Sequence, residues 1–388
     1  MKYLYDKFIK KMTDALTSTA DSDLAEDTDT VLFGLDTPPI HLVNLGATTH
    51  FSGSVVEIGN RSITDIRIYC DGKHILTSPV NIPRELIGKT IPHIRNAATC
   101  GFEFDMMIDA QAECYDFELV FSDGTREQIY SYDITSICEN QTQLERMRKA
   151  LDQLPMPDGQ TIFLTQGHTD VQAYKNSIIP FIVNVTAYMT EAGLEISTVR
   201  SVLDIGCGSG RILAAWHLDD SSRRLVGCDI NYELITWARN NMPAGIEFLH
   251  NKLHHRLPLG DACFDMIQLL SVFTHLSLQS QQELLREMYQ HLNPNGHLLI
   301  TLHGHTYIRL FMPDRNDEFI STGYIETTEQ DEGSNQFGTY HSYKYAEALF
   351  DAAGFEIAGY YPMGKIRGKR ITFQIASLQD VYLLKRTC

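Results

Sequence analysis

The chain of 388 residues is expected to fold as two units in series. A β-sandwich comes first, followed by an α/β unit with a doubly wound, mostly parallel sheet. Three observations predict this. From about Thr37 to Ile134, short runs alternate apolar and polar residues, with turn signals between them and no helical period. From about Gly167 onward, strand-like and helix-like segments take turns. At the head of that series the strand VLDI runs into three alternate glycines, GCGSG, and then into the helix pattern RILAAWHL.

Composition narrows the function classes. With 49 acidic against 32 basic residues the net charge is −17, which disfavours a protein that tracks phosphate backbones. No nucleic-acid partner is expected. No apolar run follows Lys2 and Lys7 as in a signal peptide, and none reaches the roughly 18 residues of a membrane span. A cytoplasmic protein is expected. The 8 cysteines are scattered without a C-x-x-C pair, so they read as reduced, mostly buried thiols.

The elements follow in chain order. Leu4, Tyr5, Phe8, Ile9, Met12 and Leu16 fit one face of a helix over Met1–Thr17. The acidic TSTADSDLAEDTDT that follows reads as a solvated linker, so residues 1–36 are set apart. Residues 37–135 form the sandwich, with strands in VVEIGN, ITDIRIYCDG, KHILTSPV, GFEFDMMID and FELVFSDGTREQIYSYDI, and turns at Asp71-Gly72 and Asp123-Gly124. Residues 136–165 connect the units through a helix over Thr142–Leu154 that Pro155 ends. In 166–388, Val171–Ala192 reads as an amphipathic helix kinked at Pro180. After the glycine turn come the strand LVGCD, a helix over Ile235–Asn241, the strand Ile246–His250, the strand FDMIQLLSVF and a helix over Ser280–Leu292. The turn Asn293-Pro294-Asn295-Gly296, the strand HLLITLHG, a helix over Tyr343–Ala353 and the strands FEIAGYYP and DVYLLKR complete the series.

The glycine turn carries the chemistry. Glycines allow positive φ and a close approach of backbone to ligand, and the helix that follows presents unpaired N–H groups. About twenty residues later the next strand ends in Asp229, a carboxylate able to accept from both hydroxyls of a ribose. The turn is G-x-G-x-G with Asp204 ahead of it, rather than the G-x-G-x-x-G usual for nicotinamide dinucleotides.

The run from Asp204 to Arg211, DIGCGSGR, resembles motif I of the class I S-adenosylmethionine-dependent methyltransferases. SVFTHLS with the helix and N-P-N-G-HLLIT after it, and the terminal QDVYLL, are similar to the same family. The resemblance implies a seven-stranded sheet with an antiparallel last strand, and S-adenosyl-L-methionine as cofactor. It implies cofactor-binding roles for Asp204, Gly206, Cys207, Gly208, Gly210, Arg211, Asp229, Ile230, Asn251, Leu270 and Ser271. Separately, IYCDGK, NIPRELIGKTIPHI and GFEFDM resemble an immunoglobulin-like accessory module of enzymes that work on glycans.

Methyl transfer to a hydroxyl needs positioning and a base. His275 follows the fourth strand, His303 and His305 end the fifth, and His341 precedes a helix. His275, His303 and His341 are the candidate bases, since histidine titrates near neutral pH; each has packing as its alternative. Metal-dependent relatives place Asp and Asp-Asn after the fourth and fifth strands. Ser271 and His303 stand there, so no metal is expected. Motifs of DNA-amino, cytosine and arginine methylation are missing, which favours oxygen methylation of a small molecule or a sugar. Lys365, Arg367, Lys369 and Arg370 form a basic run that could meet an anionic substrate. Two alternatives stay open. One is a small-metabolite enzyme whose β-domain makes homo-oligomers, and the other is a scaffold that binds the cofactor without turnover.

Overall fold

The computed structural model describes residues 30–38, 42, 43, 45–59, 61–327, 331–334, 337–366 and 378–387. The helix expected over Met1–Thr17 and its acidic linker lie outside these residues, as do Arg367, Lys369 and Arg370.

The first unit contains β1 (Val31–Thr37), β2 (Thr48–Glu57), β3 (Ile63–Cys70), β4 (Lys73–Pro79), α1 (Glu85–Thr90), β5 (Gly101–Met107), β6 (Cys114–Phe121) and β7 (Arg126–Asp133). Two antiparallel sheets result, in the orders β1-β2-β5 and β4-β3-β6-β7. Alternate residues of each strand point inward, as the period of two requires. Phe33, Phe51, Phe102 and Phe104 from one sheet and Phe117, Tyr130 and Tyr132 from the other meet in a single buried cluster. Val31–Thr37, all but Thr37 of which the sequence sets apart with residues 1–36, is a strand. Val31 and Phe33 belong to that cluster, so contacts with β2 override the glycine and aspartate that weaken VLFGLDT locally.

One helix, α2 (Ile134–Leu151), leaves this unit and enters the next. It begins eight residues before the expected start, because Ile134 and Ile137 bury themselves in the aromatic cluster. α3 (Gly159–Gln166) follows, capped by Asp158, whose side chain accepts from Thr161 N. The helix expected over Val171–Ala192 is two, α4 (Val171–Asn176) and α5 (Ile178–Glu191), and the break falls at Ser177 rather than Pro180. Pro180 sits in the first turn of α5, where a missing N–H costs no helical bond.

The second unit runs β8 (Ser201–Ile205), α6 (Arg211–Asp219), β9 (Arg224–Asp229), α7 (Tyr232–Asn241), β10 (Ile246–His250), β11 (Phe264–Leu269), α8 (Leu278–His291) and β12 (Leu292–Leu302). An inserted segment then holds α9 (His305–Phe311), α10 (Asn316–Thr322) and the hairpin β13 (Tyr324–Thr327) and β14 (Gly338–His341). The unit closes with α11 (Tyr343–Ala352), β15 (Phe355–Tyr361) and β16 (Asp380–Arg386). The sheet has seven strands in the order β10-β9-β8-β11-β12-β16-β15, with β16 antiparallel to both neighbours. Its central strands are buried on both faces, as in parallel sheets covered by helices. α2, α5, α6 and α7 contribute to the core on one face, and α8 and α11 to the core on the other.

Two local expectations change. Asn293-Pro294-Asn295-Gly296 lies within β12, as a bulge between the pairs Phe264–Leu292 and Met266–His297. The strand expected to continue through SVF ends at Leu269, and Phe273–His275 form a 3-10 turn. No described helix is long and apolar enough to cross a membrane.

Candidate active site

The carboxyl ends of β8 to β11 open on a cavity of about 760 Å³. That is where doubly wound sheets bind ligands, and the size suits a nucleoside cofactor. Gly206 and Gly208 line it with φ of 74° and 55°. A Cβ on Gly206 would come within 2.5 Å of Val272 Cγ2, and one on Gly208 within 2.7 Å of Thr165 Cγ2. Both conformation and space therefore demand glycine.

Asp229 ends β9 at the cavity wall. Its Oδ2 accepts from Gly208 N at 2.8 Å, and its Oδ1 accepts from Asn231 N at 2.7 Å. Burial raises its pKa and the two backbone donors oppose that shift. Each donor uses one lone pair, which leaves the carboxylate free to accept from ligand hydroxyls. Ile230, Asn251, Leu270 and Ser271 also line the cavity, and Asn251 Oδ1 is buried with no partner among the described residues. Ser271 holds φ of 56°; its N–H donates to Thr301 Oγ1 and its hydroxyl to Gln379 Oε1.

The remaining motif residues stand behind this wall. Asp204 is 2% exposed, and its Oδ2 has no partner among the described residues. Burial pushes its carboxyl up to about 7, against the pull of Gln268 and Arg211. Arg211 Nη1 donates to Ser177 Oγ, which fixes α6 against the start of α5. Cys207 is buried and its thiol is held protonated by desolvation, so it packs rather than reacts. A Cβ on Gly210 would meet the Phe248 ring at 2.8 Å. The orphaned Asn251 oxygen on the cavity wall and the glycine cradle over Asp229 fit a polar nucleoside.

The three candidate bases separate. His275 lines the cavity. Its Nδ1 lies 2.8 Å from the Phe337 carbonyl, which only accepts, so Nδ1 carries the proton and Nε2 keeps its lone pair. His303 is outside the lining, stacked on Tyr307 at 3.9 Å between centroids, and desolvation holds its pKa at about 3. His341 is fully buried and also outside the lining; burial holds it at about 3 as well. Its Nε2 donates to Gln281 Oε1 at 2.9 Å. Lys365, the described member of the basic run, donates to the Val31 carbonyl at 2.6 Å.

Two parts of the wall escaped sequence reasoning. Leu164 and Thr165 of α3 cover Gly208, and only the Asp158 cap announces that helix. Gly333 and Ser334 close the other side. Gly333 N donates to the His275 carbonyl, and Glu332 accepts from Ser277 N and Oγ. No local pattern marks that contact, because it joins loops far apart in sequence.

A seven-stranded sheet of this order, with a glycine turn and an acidic strand end on one nucleoside-sized cavity, defines a Rossmann-like nucleoside-cofactor enzyme. Residues 203–300 match the methyltransferase domain family. The chain thus carries a methyltransferase domain, an enzyme domain whose cofactor is S-adenosyl-L-methionine. Methyltransferase GfsG from Streptomyces halstedii is 30% identical over 113 residues, 28% of this chain and 39% of that protein. The chain thus matches about two fifths of that relative's length. A solved S-adenosylmethionine-dependent methyltransferase from Methanosarcina mazei is 22% identical, covering 48% of this chain and 92% of that one, with a TM-score of 0.36. Another, from Clostridium acetobutylicum, is 13% identical, covering 58% and 96%, with a TM-score of 0.39.

Proposed function

We propose that the chain methylates a hydroxyl of a small-molecule or glycan-linked acceptor, with His275 as the base. One observation carries the choice of residue. His275 faces the cavity that Gly206, Gly208 and Asp229 line, with its tautomer set by the Phe337 carbonyl and Nε2 left to accept a proton. When bound, S-adenosyl-L-methionine supplies an electrophilic methyl group on a sulfonium. Asp229 and Asn251 hold the nucleoside half, and Asp204 and Arg211 support the turn beneath it. Leu270 and Ser271 flank the path to the acceptor, and His275 takes the hydroxyl proton as the oxygen attacks. His303 and His341 are weak bases at a pKa of about 3 and serve packing.

The β-rich unit is read as an immunoglobulin-like sandwich that accompanies glycan chemistry. Its boundaries are set at about residues 30 and 135, with the methyltransferase domain from about 166. Incubating the protein with methyl-labelled cofactor and a panel of hydroxyl acceptors tests the reaction. On the acceptor found, His275→Gln is expected to lower turnover by about 10²–10⁴ while S-adenosylhomocysteine affinity holds. Near-normal turnover in that variant would remove His275 from the mechanism.

A further inference from the structure

A second cleft, of about 490 Å³, opens where three stretches of chain meet. Ile58 and Arg61 follow β2, His93 and Arg95 lie between α1 and β5, and Arg309 and Asn316 come from the segment inserted after β12. Among the described residues, it shares none with the cofactor cavity. An apolar cluster holds its walls together, in which Leu310 of α9 packs with Val56, Ile91 and Cys100. The cleft is thus a built junction, held by apolar packing.

Among the described residues, no carboxylate lines it. Arg61 is neutralised, pairing with Glu57 and Glu127 while lying over the Phe121 ring. Among the described residues, Arg95 and Arg309 have no carboxylate partner. Among the described residues, Arg95 Nη1 reaches Ser62 Oγ at 3.4 Å, and Arg309 Nη2 reaches the Ile58 carbonyl at 3.5 Å. Both contacts lie at the outer limit of hydrogen bonding. His93 Nε2 donates to the Arg309 carbonyl at 3.4 Å, which ties the loop before β5 to α9 across the cleft. Asp314 and Asp317 are on the inserted segment but outside the lining, and Arg315 is paired with Glu318. In a chain of net charge −17, this is a local surplus of positive charge facing a cavity.

We propose that this cleft binds a phosphoryl group carried by the acceptor. Two guanidiniums from different units converge on it, and a tetrahedral anion accepts donors from several sides, where a planar carboxylate is served by a single fork. Arg309 lies on α9, four residues past His305, so it stands about 6 Å along the helix from its first residue, which follows β12 by a short link. An extended acceptor can be held by its phosphoryl end in the cleft while its other end serves the sheet's carboxyl edge. Assigning the phosphoryl group to the acceptor rests on the methyl-transfer function; binding of the anion does not.

Calorimetry on the S-adenosylhomocysteine-bound protein tests it, with inorganic phosphate and glucose 1-phosphate as separate probes. Saturable binding is expected, tighter for the ester. It should weaken about tenfold in Arg95→Gln and in Arg309→Gln, the scale of a charge-assisted hydrogen bond. Arg95 is exposed on a loop, so its variant folds normally and guards against a folding artefact at Arg309. If inorganic phosphate binds more tightly than the ester, the ligand is a free anion and the assignment to the acceptor falls. No saturable binding of either probe, or unchanged binding in the double variant, overturns the site. S-adenosylhomocysteine affinity, measured alongside, should be the same in all variants. Failure to bind it at all would count against the cofactor site and leave the anion result standing.

Discussion

Burial holds Asp204 at about 7, against 3.8 for a free carboxyl, and this makes stability depend on pH. Between those values the folded chain keeps a proton that the unfolded chain has lost, so stability falls as pH rises through the window. Asp204→Asn should remove that slope, which melts at about pH 5 and about pH 8 will show. An equal slope in the variant would place the titration elsewhere. His303 and His341 act in the opposite sense. Each is held neutral to about 3 instead of 6.5, so the unfolded chain takes up protons first and stability falls as pH drops across that range. At Asp229 the expectation concerns ligand binding. Asp229→Ala should weaken S-adenosylhomocysteine binding by roughly 1.5–3 kcal/mol, about 10- to 150-fold, since hydrogen bonds to a charged group are lost. Unchanged affinity by calorimetry would mean that the ribose lies elsewhere.

At the scale of elements, a buried amide is one of the ties that hold the inserted hairpin, beside the bridge from His303 to Tyr340. Gln281 of α8 is fully buried. Its Nε2 donates to the carbonyls of Phe273 and Leu276 and to Thr339 Oγ1, and its Oε1 accepts from His341. Gln281→Leu keeps the volume but strands these groups, so a loss of roughly 2–3 kcal/mol is expected in denaturant unfolding. A loss below about 0.5 kcal/mol would show that the hairpin is anchored otherwise. This anchor also shows where sequence reading stops. The α/β series was legible because apolar period and glycine turns are local, and so was the spacing from Gly206 to Asp229. The burial of His341 was not, since TYHSYKY looks polar and only pairing of β14 with β13 turns it inward. β1 and α3 were missed for the same reason, being short, weakly patterned and fixed by distant partners.

At the scale of the whole molecule, the β-rich unit has its own aromatic core, and it should fold alone if β1 and the start of α2 are kept. A fragment of residues 30–140 is expected to unfold cooperatively with β-type circular dichroism. A fragment of 37–135 lacks Val31, Phe33 and Ile137 and should be markedly weaker. Equal stability of the two would show that β1 is dispensable. The passage between units is α2 itself. Ile134 and Ile137 are set in the first core, while Leu144, Met147 and Leu151 are set in the second. Such a helix transmits angle as well as distance. At 3.6 residues per turn, one inserted residue between Cys138 and Gln143 would turn one unit against the other by about 100°. Seven would bring them nearly back into phase, about 10 Å further apart. The chain length between the two cores is therefore a setting of torsion, and its tolerance to insertion should be periodic rather than graded.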